Sequence, residues 1–159
     1  MTDSENRHNV EIELDALPRV TKPARYTGGE WNQVKHDWDS AGVRFALCFP
    51  EIYEIGMSNL GFLLLYHLIN EIPDTLCERC FAPWPDFERE LSERGLPLCS
   101  LENRMPLADF DVVGFSLSYE MTYTNVLTML KLGGIPFRAA DRAADWPLVI
   151  AGGGSACNP

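Results

Sequence analysis

Four short apolar runs interrupt the polar positions of the chain and predict the strands of a buried sheet. They cover 43–49, 76–82, 111–117 and 147–151. Continuous apolar runs of this length, rather than alternating ones, are typical of strands whose two faces are both covered. A weaker run at 98–101 predicts a short edge strand of the same sheet.

The residues after the first run predict a loop and then a helix with defined ends. Ser58 or Asn59 can cap the start of the helix, and Pro73 stops it, so the helix should extend to about Ile72. Its residues are apolar almost all the way round. We therefore expect this helix to be well buried.

Two further helices alternate with the strands. A short, charged surface helix is predicted over 85–93, and another over 121–132, where Gly133 and Gly134 close it. Strands and helices in this alternation imply right-handed crossovers and a parallel sheet. The sequence therefore predicts an α/β domain with a Rossmann/flavodoxin-like parallel sheet and helices on both faces, truncated at its C-terminus.

The predicted organisation is a single domain preceded by an extension. Residues 1–41 form the N-terminal extension, in which 1–20 are a loose, charged lead-in and 21–42 are ordered and pack on the domain edge. Residues 42–159 form the α/β domain, and its last residues begin a loop that leads toward another helix. We therefore expect the chain to be a piece of a longer protein.

Charge and cysteine usage narrow the functional classes. The 159 residues carry a formal net charge of −10, which repels phosphate backbones and anionic lipid, so we expect neither nucleic acid nor a membrane as a partner. The polar N-terminus has no apolar core of a signal peptide, and the longest apolar run, 62–69, is too short to span a bilayer. Five irregularly spaced cysteines do not form a secreted disulfide framework, which favours a cytoplasmic location.

Candidate ligand-binding residues follow three of the predicted strands. In open parallel sheets, ligands bind beyond the carboxyl ends of the strands, and the loops here are 51–61, 116–120 and 152–155. Their small residues are Gly56, Ser58, Gly61, Ser116, Ser118, Gly152, Gly153 and Gly154. Small side chains let a bulky ligand approach the backbone. The alternative is that they are ordinary turn residues.

The first of these loops contains a spaced motif. It reads EIYEIG, or Glu51-x-Tyr53-x-x-Gly56. The third predicted strand ends in Ser116-Leu117-Ser118, and the fourth ends in the consecutive glycines Gly152-Gly153. This combination resembles the cobalamin-binding domain of corrinoid methyltransferases and mutases, whose first loop carries Asp-x-His-x-x-Gly.

A longer resemblance covers the chain from about Arg19 to its end. The stretches RYTGGEWN, FPEIYEIGMSNLG and DVVGFSLSYEMTYTNVLTMLKLGGIPF and the final GG-x-x-x-NP resemble the N-terminal region of cobalamin-binding-domain radical SAM proteins. The resemblance implies a cobalamin (vitamin B12) cofactor. It also implies a C-terminal radical SAM domain as the partner, holding a 4Fe-4S cluster and S-adenosylmethionine.

The chain departs from the corrinoid pattern at the cobalt ligand. Tyrosine titrates near pH 10, so holding Tyr53 as a phenolate at pH 7 would cost about 4 kcal/mol. Tyr53 is therefore a poor cobalt ligand. We expect it to cover the lower face of a base-off corrin instead, with Glu51 bonded to the Tyr53 hydroxyl or to a nearby amide. The implied cofactor-binding residues are Glu51, Tyr53, Gly56, Ser58, Gly61, Ser116, Ser118, Gly152, Gly153 and Gly154.

The cysteines do not supply a catalytic centre in this piece. No Cys-x-x-x-Cys-x-x-Cys triplet occurs, so we expect the radical chemistry to lie beyond Pro159 and predict no catalytic residue and no metal ligand here. A lone Cys77-x-x-Cys80 falls on a predicted strand, where residues three apart face opposite sides of the sheet and cannot chelate one ion.

Two alternatives to cobalamin binding remain at this point. The domain could be a degenerate, cofactor-free module used for docking or substrate gating. It could also bind another ligand such as a flavin or a nucleotide, although neither G-x-G-x-x-G after the first strand nor a P-loop is present.

Overall fold

The computed structural model describes residues 15–157, and its centre is an all-parallel, four-stranded sheet. The strands are β1 (Val43–Phe49), β2 (Thr75–Phe81), β3 (Val112–Ser116) and β4 (Leu148–Gly152), in the order β2-β1-β3-β4. This is a flavodoxin-like order, because the chain turns from one side of β1 to the other between β2 and β3. The predicted fold class and the positions of the four predicted strands are confirmed. The prediction that the fourth is a core strand was wrong, because β4 lies at the edge of the sheet and four of its five residues are exposed.

Four helices cover the two faces of the sheet. They are α1 (Tyr53–Ser58), α2 (Leu60–Asn70), α3 (Pro85–Arg94) and α4 (Tyr123–Leu132). The α2 side chains pack on one face of the sheet, and those of α3 and α4 pack on the other. The first face includes Leu47, Phe49, Phe62, Tyr66, Cys77 and Phe81. The second includes Ala46, Cys48, Phe87, Leu91, Val113 and Met129.

Three local predictions were wrong at the ends of elements. The stretch after β1 was predicted to be a loop, but it folds into the short helix α1. A 3-10 turn, Glu120–Thr122, precedes α4, which therefore begins at Tyr123 rather than at residue 121. The run at 98–101 forms only a single antiparallel bridge, between Cys99 and Pro106, and no strand.

The start of α2 was predicted correctly, but its burial was not. The Asn59 carboxamide oxygen caps the helix by accepting the Phe62 N–H at 2.9 Å. The side of α2 that faces away from the sheet is exposed, with Leu60 79% and Leu64 56% accessible. The apolar residues on all sides of α2 are therefore not all buried. Within residues 15–157, α2 forms the outer layer on its face of the sheet, and its outward side meets solvent.

The described part of the N-terminal extension is packed against the domain. Ala16, Leu17 and Val20 are buried in the core, so the prediction of a loose lead-in was wrong for residues 15–20. Tyr26 stacks on Phe87 of α3, with ring centroids 4.0 Å apart. The predicted packing of residues 21–42 on the domain edge is confirmed.

Some sequence predictions concern residues that the structure does not describe. Residues 1–14, with His8, and the terminal Asn158 and Pro159 lie outside the described residues. The division of the chain at residue 41 stays a prediction. Over the described range, no helix has both the length and the apolar character needed to cross a bilayer.

Candidate functional site

The carboxyl ends of β1, β3 and β4 form one edge of the sheet, here called the carboxyl edge. From β1 the chain leads through α1 and α2 to β2 on one side, and from β3 it leads through α4 to β4 on the other. The point between β1 and β3 is therefore the topological switch point, where open parallel sheets bind ligands. The structure brings the three predicted loops to this edge.

The Tyr53 hydroxyl takes part in a hydrogen bond within the protein. It donates to Glu30 Oε1 at 2.8 Å, and the Tyr53 ring packs edge-on against Phe81 with centroids 5.5 Å apart. Partial burial and the Glu30 carboxylate raise the pKa of Tyr53 to about 12. The phenol is thus neutral at physiological pH, which agrees with the prediction that it is a poor cobalt ligand.

The predicted contact between Glu51 and Tyr53 was wrong. Glu51 instead accepts a hydrogen bond from the hydroxyl of Tyr119, which follows β3. The physical reason is that Tyr53 opens α1 and points toward the N-terminal extension, where Glu30 meets it. The spacing of Glu30 and Tyr53 in the sequence does not predict that their side chains form a hydrogen bond.

A buried charge network fixes Glu30 beneath Tyr53. Arg79 of β2 is fully buried and donates to Glu30 Oε2 at 3.0 Å and to Glu102 Oε1 at 2.6 Å. Its guanidinium also lies 4.6 Å from the centroid of the Tyr66 ring. Because a buried guanidinium needs anionic partners, this network locks the RYTGGEWN stretch against the motif that contains Tyr53.

Sequence reasoning missed all three charged members of this network. The available signal was the pair of charged residues, Glu78 and Arg79, inside an otherwise apolar strand. Charged residues are rarely fully buried unless they are paired, so such a pair in a core strand indicates partners elsewhere in the chain. Glu78, on the opposite face, accepts hydrogen bonds from Ser100 Oγ and from the side chain and backbone of Asn103.

Gly56 is required by packing. An added Cβ would lie 2.3 Å from Cε1 of Phe81 and 3.3 Å from Cδ1 of Phe49. Ser58 is exposed, and its hydroxyl donates to the Ile55 carbonyl at 2.8 Å within α1. Gly61 is exposed near the start of α2. A ligand role for these three residues stays a prediction.

The other five predicted residues lie at the carboxyl ends of β3 and β4 or on the loops that follow them. They are Ser116, Ser118, Gly152, Gly153 and Gly154. Gly153 has φ +107°, and an added Cβ would lie 2.3 Å from the Leu117 carbonyl oxygen, so this position requires glycine. An added Cβ on Gly152 or Gly154 would meet nothing within 4 Å. The β4 loop is thus open to solvent on one side and tight against the β3 loop on the other.

Hydrogen bonds tie the three loops together. The Leu117 N–H donates to the Gly152 carbonyl at 2.7 Å, which joins the β3 and β4 ends. Asn125 Nδ2 donates to the Pro50 carbonyl at 2.8 Å, and together with the Tyr119–Glu51 bond it spans the gap between the β1 and β3 loops. The carboxyl edge is therefore a connected surface.

Four of the five cysteines are buried core residues, and Cys157 is exposed. Cys77 packs on the α2 side of the sheet and Cys80 on the other side, so the predicted opposite orientation is confirmed. Burial raises the pKa of the Cys77 thiol, which leaves it protonated and unreactive. Within the described residues, no group of three or more His, Cys, Asp or Glu side chains could hold a metal ion.

The carboxyl edge fits a corrin only in part. The exposed, small residues at Ser118, Gly152 and Gly154 leave room for a large ligand to approach the backbone. The first loop supplies no nitrogen ligand for cobalt, and Tyr53 is neutral and bonded to Glu30. The chemistry of the edge therefore suits contact with a corrin but not coordination of its metal.

Comparison with known proteins identifies one family. A family model described as radical SAM proteins, N-terminal, matches residues 61–159, which is more than half of the chain. No curated protein and no solved structure shows significant similarity to the chain.

Proposed function

Because this chain belongs to the family of N-terminal domains of radical SAM proteins, we propose that it binds cobalamin at the carboxyl edge without supplying a cobalt ligand. The observation that carries the proposal is the pairing of an open β4 loop with a tyrosine that is held as a neutral hydrogen-bond donor. Bound cobalamin would supply methyl transfer or assist another radical step. The 4Fe-4S cluster and S-adenosylmethionine would belong to a radical SAM domain of the same polypeptide.

Each part of the edge has a distinct role in this proposal. Gly152 and Gly154 let the ligand contact the backbone, because neither carries a side chain and both are exposed. The Ser118 hydroxyl is available to the polar amides of the corrin rim. Tyr53 cannot displace the cofactor's own base by coordination, so its part is van der Waals contact with the lower face of the corrin.

Titration with hydroxocobalamin tests this proposal. Visible absorbance and tryptophan fluorescence follow binding to the parent chain, to Gly154→Trp and to a control, Ser92→Trp. Gly154 has open space around its Cβ, so an indole there should block the edge without disturbing the backbone, whereas Ser92 is an exposed residue near the distant end of α3. We expect saturable binding by the parent and the control and at least about a ten-fold loss for Gly154→Trp.

Electron paramagnetic resonance of the reduced cob(II)alamin complex tests the missing ligand. We expect a base-off spectrum without nitrogen superhyperfine splitting, because Tyr53 offers no nitrogen and its contact with the lower face of the corrin would exclude the cofactor's own base. A splitting that changes when the protein is labelled with a nitrogen isotope would show a protein ligand and refute this part. Absence of binding by a chain that is folded by circular dichroism would refute the proposal as a whole.

A second candidate function, cofactor-free docking or substrate gating, is favoured by the surface of α2. From Leu60 to Asn70 this helix carries no acidic, lysine or arginine residue, and Leu60, Leu64 and Leu68 face solvent. An exposed apolar surface of this kind marks a site of protein contact. The partner proposed for it is the radical SAM domain of the same polypeptide.

Amide hydrogen exchange distinguishes the docking function. In a protein that includes the radical SAM domain, α2 amides should exchange more slowly than in the 159-residue chain, and a Leu64→Gln, Leu68→Gln variant should lose that difference. The α3 amides, on the opposite face of the sheet, provide the internal control. Equal exchange of α2 in the two proteins would reject this docking surface.

A further inference from the structure

Two hydrogen bonds span the switch point between β1 and β3 in the described residues: Asn125 Nδ2 donates to the Pro50 carbonyl deeper in the fold, and a contact between two side chains lies further out. Tyr119, three residues after β3 ends, donates its hydroxyl hydrogen to Glu51, two residues after β1 ends. Tyr119 is 39% exposed and Glu51 is half-buried, so the contact lies at the mouth of the crevice and not in the core. It lies at the place where this fold class receives ligands.

The backbone of Tyr119 is fixed, so only its side chain is free to move. The residue is extended, with φ −160° and ψ 161°. Its carbonyl oxygen accepts hydrogen bonds from the Thr122 hydroxyl at 2.8 Å and from the Thr122 N–H at 3.3 Å. Breaking the contact with Glu51 therefore requires rotation of one aromatic side chain and no rearrangement of the loop.

We propose that the Tyr119–Glu51 hydrogen bond is a latch across the switch-point crevice, which opens by rotation of Tyr119 to admit a large ligand. The inference rests on the proposed binding of cobalamin at the carboxyl edge. A ligand that binds only the open form has its apparent affinity reduced by the fraction of closed molecules. Removing the latch should therefore strengthen binding, whereas removing a residue that contacts the ligand would weaken it.

A pair of matched tyrosine variants tests the latch. Tyr119→Phe removes the hydroxyl that bonds Glu51. Tyr123→Phe removes a hydroxyl that donates to the Ser155 carbonyl at 2.8 Å, a contact between the start of α4 and the β4 loop that does not cross the crevice. Both variants delete one oxygen and keep the ring, so they match in size and charge.

The measurement is the dissociation constant for hydroxocobalamin, with the rate of nitration of Tyr119 by tetranitromethane in the free protein as a second readout. We expect Tyr119→Phe to bind about five-fold more tightly than the parent, as loss of one exposed hydrogen bond to a carboxylate predicts, and Tyr123→Phe to bind within two-fold of the parent. Unchanged or weaker binding by Tyr119→Phe would overturn the latch.

The latch and the proposed function fail in different ways. If neither the parent nor either variant binds cobalamin, the proposed function is wrong, and nitration of Tyr119 in the free protein then decides the latch by itself. Slower nitration of Tyr119 in the parent than in a Glu51→Ala variant would support the latch, because only the parent engages the phenol in the hydrogen bond. Equal nitration rates in these two proteins would overturn it.

Discussion

Substitution of Gly56 by alanine tests whether this glycine serves packing. The added Cβ would lie 2.3 Å from Cε1 and 2.6 Å from Cδ1 of Phe81, far inside ordinary contact distance. Phe81 is 7% exposed and has ring contacts with Tyr53 and Phe62, so it cannot move aside freely. Overpacking of a core typically costs about 1–3 kcal/mol.

A second effect of the substitution has the opposite sign. Gly56 lies inside α1, where alanine is favoured over glycine by about 1 kcal/mol. The clash is the larger of the two, because the nearest Phe81 atoms belong to a ring that is packed on several sides. We therefore expect Gly56→Ala to lower the free energy of unfolding by about 1–2 kcal/mol.

Equilibrium unfolding in urea, followed by far-ultraviolet circular dichroism, measures this loss. Gly61→Ala is the matched control, because Gly61 is exposed near the start of α2 and an added Cβ there approaches only the Asn59 side-chain oxygen, at 3.4 Å. We expect that control to be neutral or more stable by about 0.5 kcal/mol. The two variants make the same chemical change in two helices.

A double-mutant cycle identifies the clashing partner. Phe81→Leu shortens the ring side chain, so in its presence Gly56→Ala should cost about 1 kcal/mol less than it does in the parent. If Gly56→Ala is as stable as Gly61→Ala, or if its cost does not depend on Phe81, the packing explanation is refuted.

Three further outcomes follow from buried polar groups and thiols. Arg79→Met should lower the free energy of unfolding by about 3–5 kcal/mol in urea titrations, because two carboxylates lose their buried partner. The control Arg89→Met, on the exposed side of α3, should change that free energy by less than about 0.5 kcal/mol. Equal losses in the two variants would contradict this prediction. Burial raises the pKa of Glu78, so its protonation stabilises the native state below the unfolded pKa of about 4.3, and this contribution is lost as pH rises through the native pKa. Unfolding should thus become easier as the pH rises above that unfolded pKa, with a smaller slope in Glu78→Gln, and an unchanged slope in that variant would refute the assignment. Thiol titration of the native chain should label the exposed Cys157 rapidly and Cys77 only on unfolding, and equal rates would contradict the burial.

The local sequence was sufficient for the elements whose determinants lie within a few residues. The continuous apolar run Val43–Phe49 predicts a strand covered on both faces, and Asn59 predicts the start of α2. Gly133 and Gly134 end α4 as predicted, with Gly134 at φ +70°. These signals are local because backbone sterics, caps and apolar periodicity act over one or two turns.

The interior of the candidate site needed information from distant parts of the chain. Glu30 meets Tyr53 across 23 positions in sequence, and Tyr119 meets Glu51 across 68. Neither pair has a spacing that predicts contact. The motif EIYEIG indicates that Gly56 matters, but the Phe81 ring that requires a glycine there belongs to the distant strand β2.

The sequence by itself determined that this is a parallel α/β sheet, where its strands lie and which loops reach the carboxyl edge, because those features depend on short-range patterns of apolar and small residues. Only the tertiary structure decided that α2 exposes its leucines, that Tyr53 bonds Glu30, and that Tyr119 bonds Glu51. These depend on which surfaces meet once the strands are ordered β2-β1-β3-β4. The partners of a buried or bridging polar group are chosen by that assembly, since each satisfies its hydrogen bonds with whatever the fold places within reach.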